Sequence, residues 1–187
     1  MPSTQAPKQP TWSQVKRALS SLDQSELLDL IGDLFKLNAD NKVFLASRYI
    51  HSDPQTLMEP YRKAIRAEFN PGRGFPRLNL RAARKALHDF KKACDDPALI
   101  ADLMIYYVEQ GVICTKNYGD IDERFYDSLE SVYSAAIQTI VDTGDAEVAE
   151  HFRPRMAKIV RNTSGIGWGF HDALNDMYHN DYPDENR

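Results

Sequence analysis

The residues best placed to do chemistry in this chain are cations. Between Tyr61 and Lys92 stand Arg62, Lys63, Arg66, Arg73, Arg77, Arg81, Arg84, Lys85, Lys91 and Lys92, against only Glu68 and Asp89. The segment therefore carries +8 within a chain of formal net charge −4, which leaves −12 for the rest. Each helical residue advances ~100° around the axis. Arg81, Arg84, Lys85, His88 and Lys92 therefore gather on one side of the segment after Asn79, with Arg77 just ahead of it. Such a face can meet the phosphates or carboxylates of a partner. It could also be a solvated face neutralised by acidic helices of the same molecule.

Two further places could carry chemistry. The run Ser164-Gly165-Ile166-Gly167-Trp168-Gly169-Phe170 leads into a helix, where backbone amides could face an anion. No strand signal precedes it and no Gly-Lys-Ser/Thr follows, so it is neither a dinucleotide fingerprint nor a phosphate loop. The expected reading is a helix–helix turn that needs positive φ, with Trp168 in the core. Beyond it lie His171, Asp172, Asp176 and His179. The two histidines sit ~12 Å apart along a helix axis, too far to share one ion. Asp172, Asp176 and His179 fall at i, i+4 and i+7 and are the remaining metal candidates, although an ordinary polar helix face is the expected outcome.

Nucleophilic catalysis finds no support, because there is no G-x-S-x-G elbow. Cys94 falls on an apolar stripe and reads as inert core, and Cys114 is expected in a loop. His51 and His151 are expected near helix ends, exposed to solvent. No residue is assigned a catalytic role, no metal is assigned, and no cofactor is expected.

These side chains need helices to position them, and the chain is full of helix signals. Asp23 with Glu26 three residues on reads as a capping box, with Leu22 and Leu27 as its staple. Leu27, Leu30, Ile31, Leu34 and Phe35 follow on one face. Asn38 can cap the next helix. Asp53-Pro54 and Asp96-Pro97 read as N-cap and N1 pairs, and Asn79 as a third cap. Pro60 and Pro154 are expected to restart or kink their helices. Gly111 and Gly144 are expected as C-terminal stops, and Asn117 to Asp122 as a loop. No strand alternation and no Asn-Gly hairpin is found. The expected fold is all-α: a compact helical bundle or short α-superhelix of about seven to nine antiparallel helices. Leu30, Phe44, Leu87, Phe90, Leu103, Tyr107, Leu129, Ile140 and Trp168 are its expected buried core.

The 187 residues, with 42% hydrophobic and 27% charged side chains, suit one globular domain that builds its own core. We expect that domain over 11–180, a disordered tail over 1–10 and a frayed tail over 181–187. The N-terminus lacks the apolar core of a signal peptide. The longest apolar stretch, Leu99 to Val108, is interrupted by Asp102 and is too short to span a bilayer. The two cysteines form no C-x-x-C pair or zinc spacing. A cytoplasmic location away from membranes is the expectation.

Three stretches carry a family resemblance. They are Leu27-Leu28-Asp29-Leu30-Ile31 running on to Asn41-Lys42-Val43-Phe44-Leu45, then Ile100-Ala101-Asp102-Leu103-Met104 with Tyr107-Val108-Glu109, and finally Gly165-Ile166-Gly167-Trp168-Gly169-Phe170-His171-Asp172. Over roughly residues 11–180 the chain resembles a family of small bacterial helical proteins of unknown function, DUF6155. The resemblance implies a bacterial cytoplasmic protein and brings no activity, cofactor, partner or site residue.

On the residues themselves, the first expectation is a binding or adaptor protein. It would use the basic face within residues 61–92 to engage an acidic protein or another anionic partner. A nucleic-acid-binding regulator using the same face is the first alternative, weakened by the acidic total. An enzyme with a site around Gly165–His179 is the second, and would need converging buried carboxylates and histidine. The oligomeric state is open.

Overall fold

The computed structural model describes residues 9–50 and 53–183, so His51 lies outside the described residues. Among these the chain forms nine helices and no strand, in keeping with the all-α expectation. It divides into two compact units, one up to Lys42 and one from Val43 onward.

The first unit holds α1 (Trp12–Leu19), α2 (Gln24–Leu37) and the start of α3 (Ala39–Tyr49). Its helix starts are fixed by side chains, as the sequence suggests. Asp23 Oδ1 accepts from the Glu26 amide at 2.9 Å, and Glu26 Oε2 accepts from the Asp23 amide at 2.8 Å. Asn38 Oδ1 accepts from the Asn41 amide at 2.8 Å and so opens α3. Yet neither α1 nor α2 buries a single side chain. Leu30 is only half-buried.

The second unit holds the rest of α3, then α4 (Pro54–Phe69), α5 (Leu80–Ala93), α6 (Pro97–Tyr118), α7 (Glu123–Thr143), α8 (Ala146–Asn162) and α9 (Phe170–Asp181). Asp53, Asn79, Asp96, Asp122 and Asp145 each accept a backbone amide at the start of their helix, which satisfies donors that the helix itself leaves open. Helix α6 is the hub and packs against α4, α5, α7 and α8; α7 also meets α8 and α9. An aromatic chain ties these layers together. Phe69 meets Tyr107 and Phe125 edge-on, with ring centroids 5.0 and 5.6 Å apart, and Tyr126 continues from Phe125 to Phe170. Phe90, Leu103, Tyr107, Leu129 and Ile140 are buried as expected.

The structure corrects several sequence readings. Gly111 does not end a helix: α6 runs through it to Tyr118, and Cys114 lies in that helix, fully buried, rather than in a loop. A Cβ on Gly111 would stand 2.3 Å from Leu129 Cδ2, so this glycine lets α7 approach α6 closely. Gly144 does end α7, in the left-handed conformation. Helix α4 continues through Pro60, with Met58 and Tyr61 buried on either side of it, so one apolar face spans the proline.

Trp168 is 57% exposed and Phe44 42% exposed, so neither is core. Leu87 is half-buried against the core. Asp181 and Tyr182, expected in a frayed tail, are held instead: Asp181 ends α9, and Tyr182 is buried and donates its hydroxyl to the Ala149 carbonyl at 2.6 Å. At 22 residues α6 is long and apolar enough to cross a bilayer, longer than the apolar stretch read from sequence. Two-thirds of its most apolar window is buried inside the protein, as a core helix would be.

Candidate functional site

Helix α5 presents the basic face. Its inward side is Ala83, Ala86, Phe90 and Ala93, all buried. The ~100° helical step then turns Arg81, Arg84, Lys85, His88, Lys91 and Lys92 outward across an arc that holds no carboxylate; Asp89 stands at its margin. The periodicity that buries three alanines and a phenylalanine is thus what aligns the cations. Lys91 and Lys92 also occupy the last turn of the helix, where the negative end of its dipole favours positive charge.

The six residues singled out from the sequence do not behave alike. Arg81, His88 and Lys92 are exposed and make no ion pair or hydrogen bond to another described residue. Lys85 pairs with Asp89 one turn on. Arg77, in the loop before α5, reaches Glu68 only at 4.0 Å and its side chain is 77% exposed. Arg84 has its head group drawn away to α7, where Nε donates to Ser128 Oγ at 3.0 Å and Nη2 to the Ser128 carbonyl at 3.1 Å. Ser128 Oγ is shared with the buried Tyr107 hydroxyl at 2.8 Å.

One charged cluster escaped the sequence reading. Asp102 on α6 is 8% exposed, and both its oxygens accept from Arg62 Nη2 of α4 at 3.1 Å. Arg155 of α8 reaches the same carboxylate at 2.6 Å and grips Glu109 through two bonds of 2.9 Å. These charge-assisted bonds, two of them a fork, tie α4 and α8 to α6. A groove of about 350 Å3 between α6 and α8 opens beside the cluster, over Val112, Ile113 and Ile159. Its cations are largely committed already: Arg155 to the two carboxylates, and Lys116 to Asn162 Oδ1 at 2.9 Å.

The region from Gly165 to His179 forms no catalytic constellation. Gly165, Trp168 and Gly169 have φ of 79°, 64° and 69°, so the turn does need positive φ, and one of the three is not glycine. The exposed indole is held from outside the core: Trp168 Nε1 donates to Asp120 Oδ2 at 2.9 Å, and the Tyr126 hydroxyl donates to Asp120 Oδ1 at 2.6 Å. Those two bonds, Tyr126 first, hold the Asp120 carboxyl below its usual range. His171 Nδ1 is bonded to Thr163 Oγ1 at 2.9 Å. Asp172, Asp176 and His179 are exposed on α9, and no group of three or more metal-ligating side chains comes together among the described residues. Both cysteines are buried, and burial pushes the Cys114 thiol up to about 11 and Cys94 up as well.

The whole helical region, residues 11–181, matches one family of unknown function, DUF6155. The chain belongs to that family. No curated protein and no solved structure matches it. DUF6155 membership agrees with the resemblance carried by the three helical phrases, two of which supply α6 and the turn into α9.

Proposed function

We propose that this DUF6155 chain is a non-enzymatic, cytoplasmic binding protein that engages an acidic partner protein through the outward face of α5. The observation that carries this reading is the distribution of partners on that face. Arg81, Lys91 and Lys92 stand exposed, without an ion pair to another described residue, in an arc that contains no carboxylate. Cations on such a face repel one another, and an external anion relieves that cost. A carboxylate-bearing partner suits the chain better than a nucleic acid, because its remaining −12 of charge would repel a long phosphate backbone.

The test is a double reversal, Arg81→Glu with Lys92→Glu. Binding to a fluorescent oligoglutamate peptide and to a DNA duplex is followed by anisotropy at several salt concentrations. The native chain should bind the peptide in a salt-sensitive manner, and the reversed chain should lose that binding while keeping its melting temperature. Equal peptide binding by both chains removes α5 as the docking face. Preference for the duplex, with a steep salt slope, replaces the acidic protein by nucleic acid.

A further inference from the structure

We propose that α2 pairs with the α2 helix of a second copy of this chain, antiparallel, through the face formed by Leu28, Ile31, Gly32 and Phe35. These residues fall at i, i+3, i+4 and i+7, the spacing of a helix–helix contact face. Leu28, Ile31 and Phe35 are nevertheless exposed, at 61%, 41% and 38%.

Gly32 supplies an independent observation. It lies inside a regular helix without positive φ, where glycine weakens the helix by about 1 kcal/mol relative to alanine. A Cβ built on it meets no atom within 4 Å, so nothing in its own chain requires the missing side chain. A bare backbone at the edge of the apolar row, beside Leu28 and Phe35, gives a second helix room to approach closely. Contrast Gly111, which has the same role toward α7 within the chain and whose Cβ would strike Leu129 at 2.3 Å.

Two arguments select a second copy as the occupant. A unit of this size is small for a core of its own, and α1 and α2 bury no side chain at all. The polar margin is self-complementary as well. Asp29 and Lys36 border the same side of the face at opposite ends of it. When two such faces cross antiparallel about Gly32, the Asp29 of one copy comes opposite the Lys36 of the other. A two-fold axis needs only this one surface.

Sedimentation velocity on the full chain across a wide concentration range tests the pairing. We expect reversible association of the 21.3 kDa chain into dimers. Leu28→Glu should weaken association about a hundred-fold without changing helicity, because Leu28 is 61% exposed in the single chain; Phe35→Glu should do the same while also removing the Lys42 ammonium from the Phe35 ring. Gly32→Leu guards against a misfolded variant: leucine favours the helix and meets open space, yet it blocks the close crossing, so helicity holds and dimers are lost. Mixing Leu28→Cys chains with Phe35→Cys chains should give a disulfide-linked dimer, whereas neither alone should. A native chain that stays monomeric at all concentrations overturns the proposal. So do dimers that survive the Glu and Gly32→Leu substitutions, or Leu28→Cys chains that cross-link efficiently to themselves.

Discussion

Gly111→Ala sets two known effects against each other at one position. Alanine in a helix interior is favoured over glycine by about 1 kcal/mol, so in an open helix the substitution stabilises. Here the new Cβ would lie 2.3 Å from Leu129 Cδ2, 2.6 Å from Cδ1 and 3.0 Å from Cγ. Both branches of the side chain are struck, so a rotation that frees one leaves the other. Leu129 is fully buried and has close-packed neighbours, so α6 and α7 must separate or the leucine must leave its rotamer. Overpacking of this kind costs ~1–3 kcal/mol. With contacts this short the upper half of that range applies, and the net expectation is a loss of about 1–2 kcal/mol.

The mechanism is checked by a double-mutant cycle in urea, followed by far-UV circular dichroism. Leu129→Ala alone should cost ~2–5 kcal/mol by opening a cavity. In the double variant the alanine methyl has room, so its clash disappears and its helix preference remains. The double variant should then be more stable than the sum of the two losses by at least 1 kcal/mol, beyond the ~0.5 kcal/mol scatter of independent sites. A Gly111→Ala chain as stable as the native one refutes the close approach of α6 and α7, and so do losses that simply add.

Other outcomes follow from the same geometry. Asp102→Ala leaves the guanidiniums of Arg62 and Arg155 without their shared carboxylate and should cost ~3–5 kcal/mol in chemical denaturation; a loss under 1 kcal/mol would show that water serves these arginines equally well. Cys114, with its thiol pushed up to about 11 and no exposed surface, should resist a thiol reagent at pH 8 until the chain is unfolded, and prompt labelling of the native protein would contradict its place in α6. Asp120, held below the usual aspartate range by Tyr126 and Trp168, stabilises the turn above its unfolded pKa of about 3.9, and that contribution disappears as pH falls through the lower folded value. Acid titration of Trp168 fluorescence should therefore show a midpoint below 3.9 that Asp120→Asn removes; an unchanged titration in that variant would assign the signal to another group.

Helix starts were the most legible part of the fold, because a cap is a local arrangement. Asp23 with Glu26, Asn79, and Asp96 ahead of Pro97 act within three residues of themselves, and all three bond as their types and spacing require. Gly111 was misread because a glycine that ends a helix and one that admits a neighbour look the same in sequence; the difference is Leu129, on another helix. Trp168 was misread for a similar reason. Its size suggests core, but a bond to Asp120, 48 residues away, holds it at the surface. The Asp102 cluster did leave a signal. A carboxylate in the middle of an apolar stretch must find a cation if that stretch is buried, although nothing in the sequence says which arginine, and the partners lie 40 and 53 residues away.

The basic segment from Tyr61 to Lys92 had two readings, internal neutralisation and an external anion, and the two helices divide them. On α4, Arg62 meets Asp102 and Arg66 meets Glu59. On α5, Lys85 meets its neighbour Asp89, and Arg84 meets an uncharged serine. Arg81, Lys91 and Lys92 pair with no described residue. Net charge alone hides this, since both helices contribute cations to the same +8. The consequence can be measured in stability as well as in binding. Reversing Arg62 to glutamate puts a second carboxylate against one that is 8% exposed, and so should unfold the chain easily. Reversing Arg81, in the first turn of α5, removes like-charge repulsion and suits the helix dipole, so it should leave the melting temperature unchanged or slightly raised, whereas reversing Lys92 in the last turn should cost no more than ~0.3–1 kcal/mol. Equal destabilisation at Arg62 and Arg81 would mean that α5 is neutralised within the molecule after all, and the case for an outside partner on that face would fall with it.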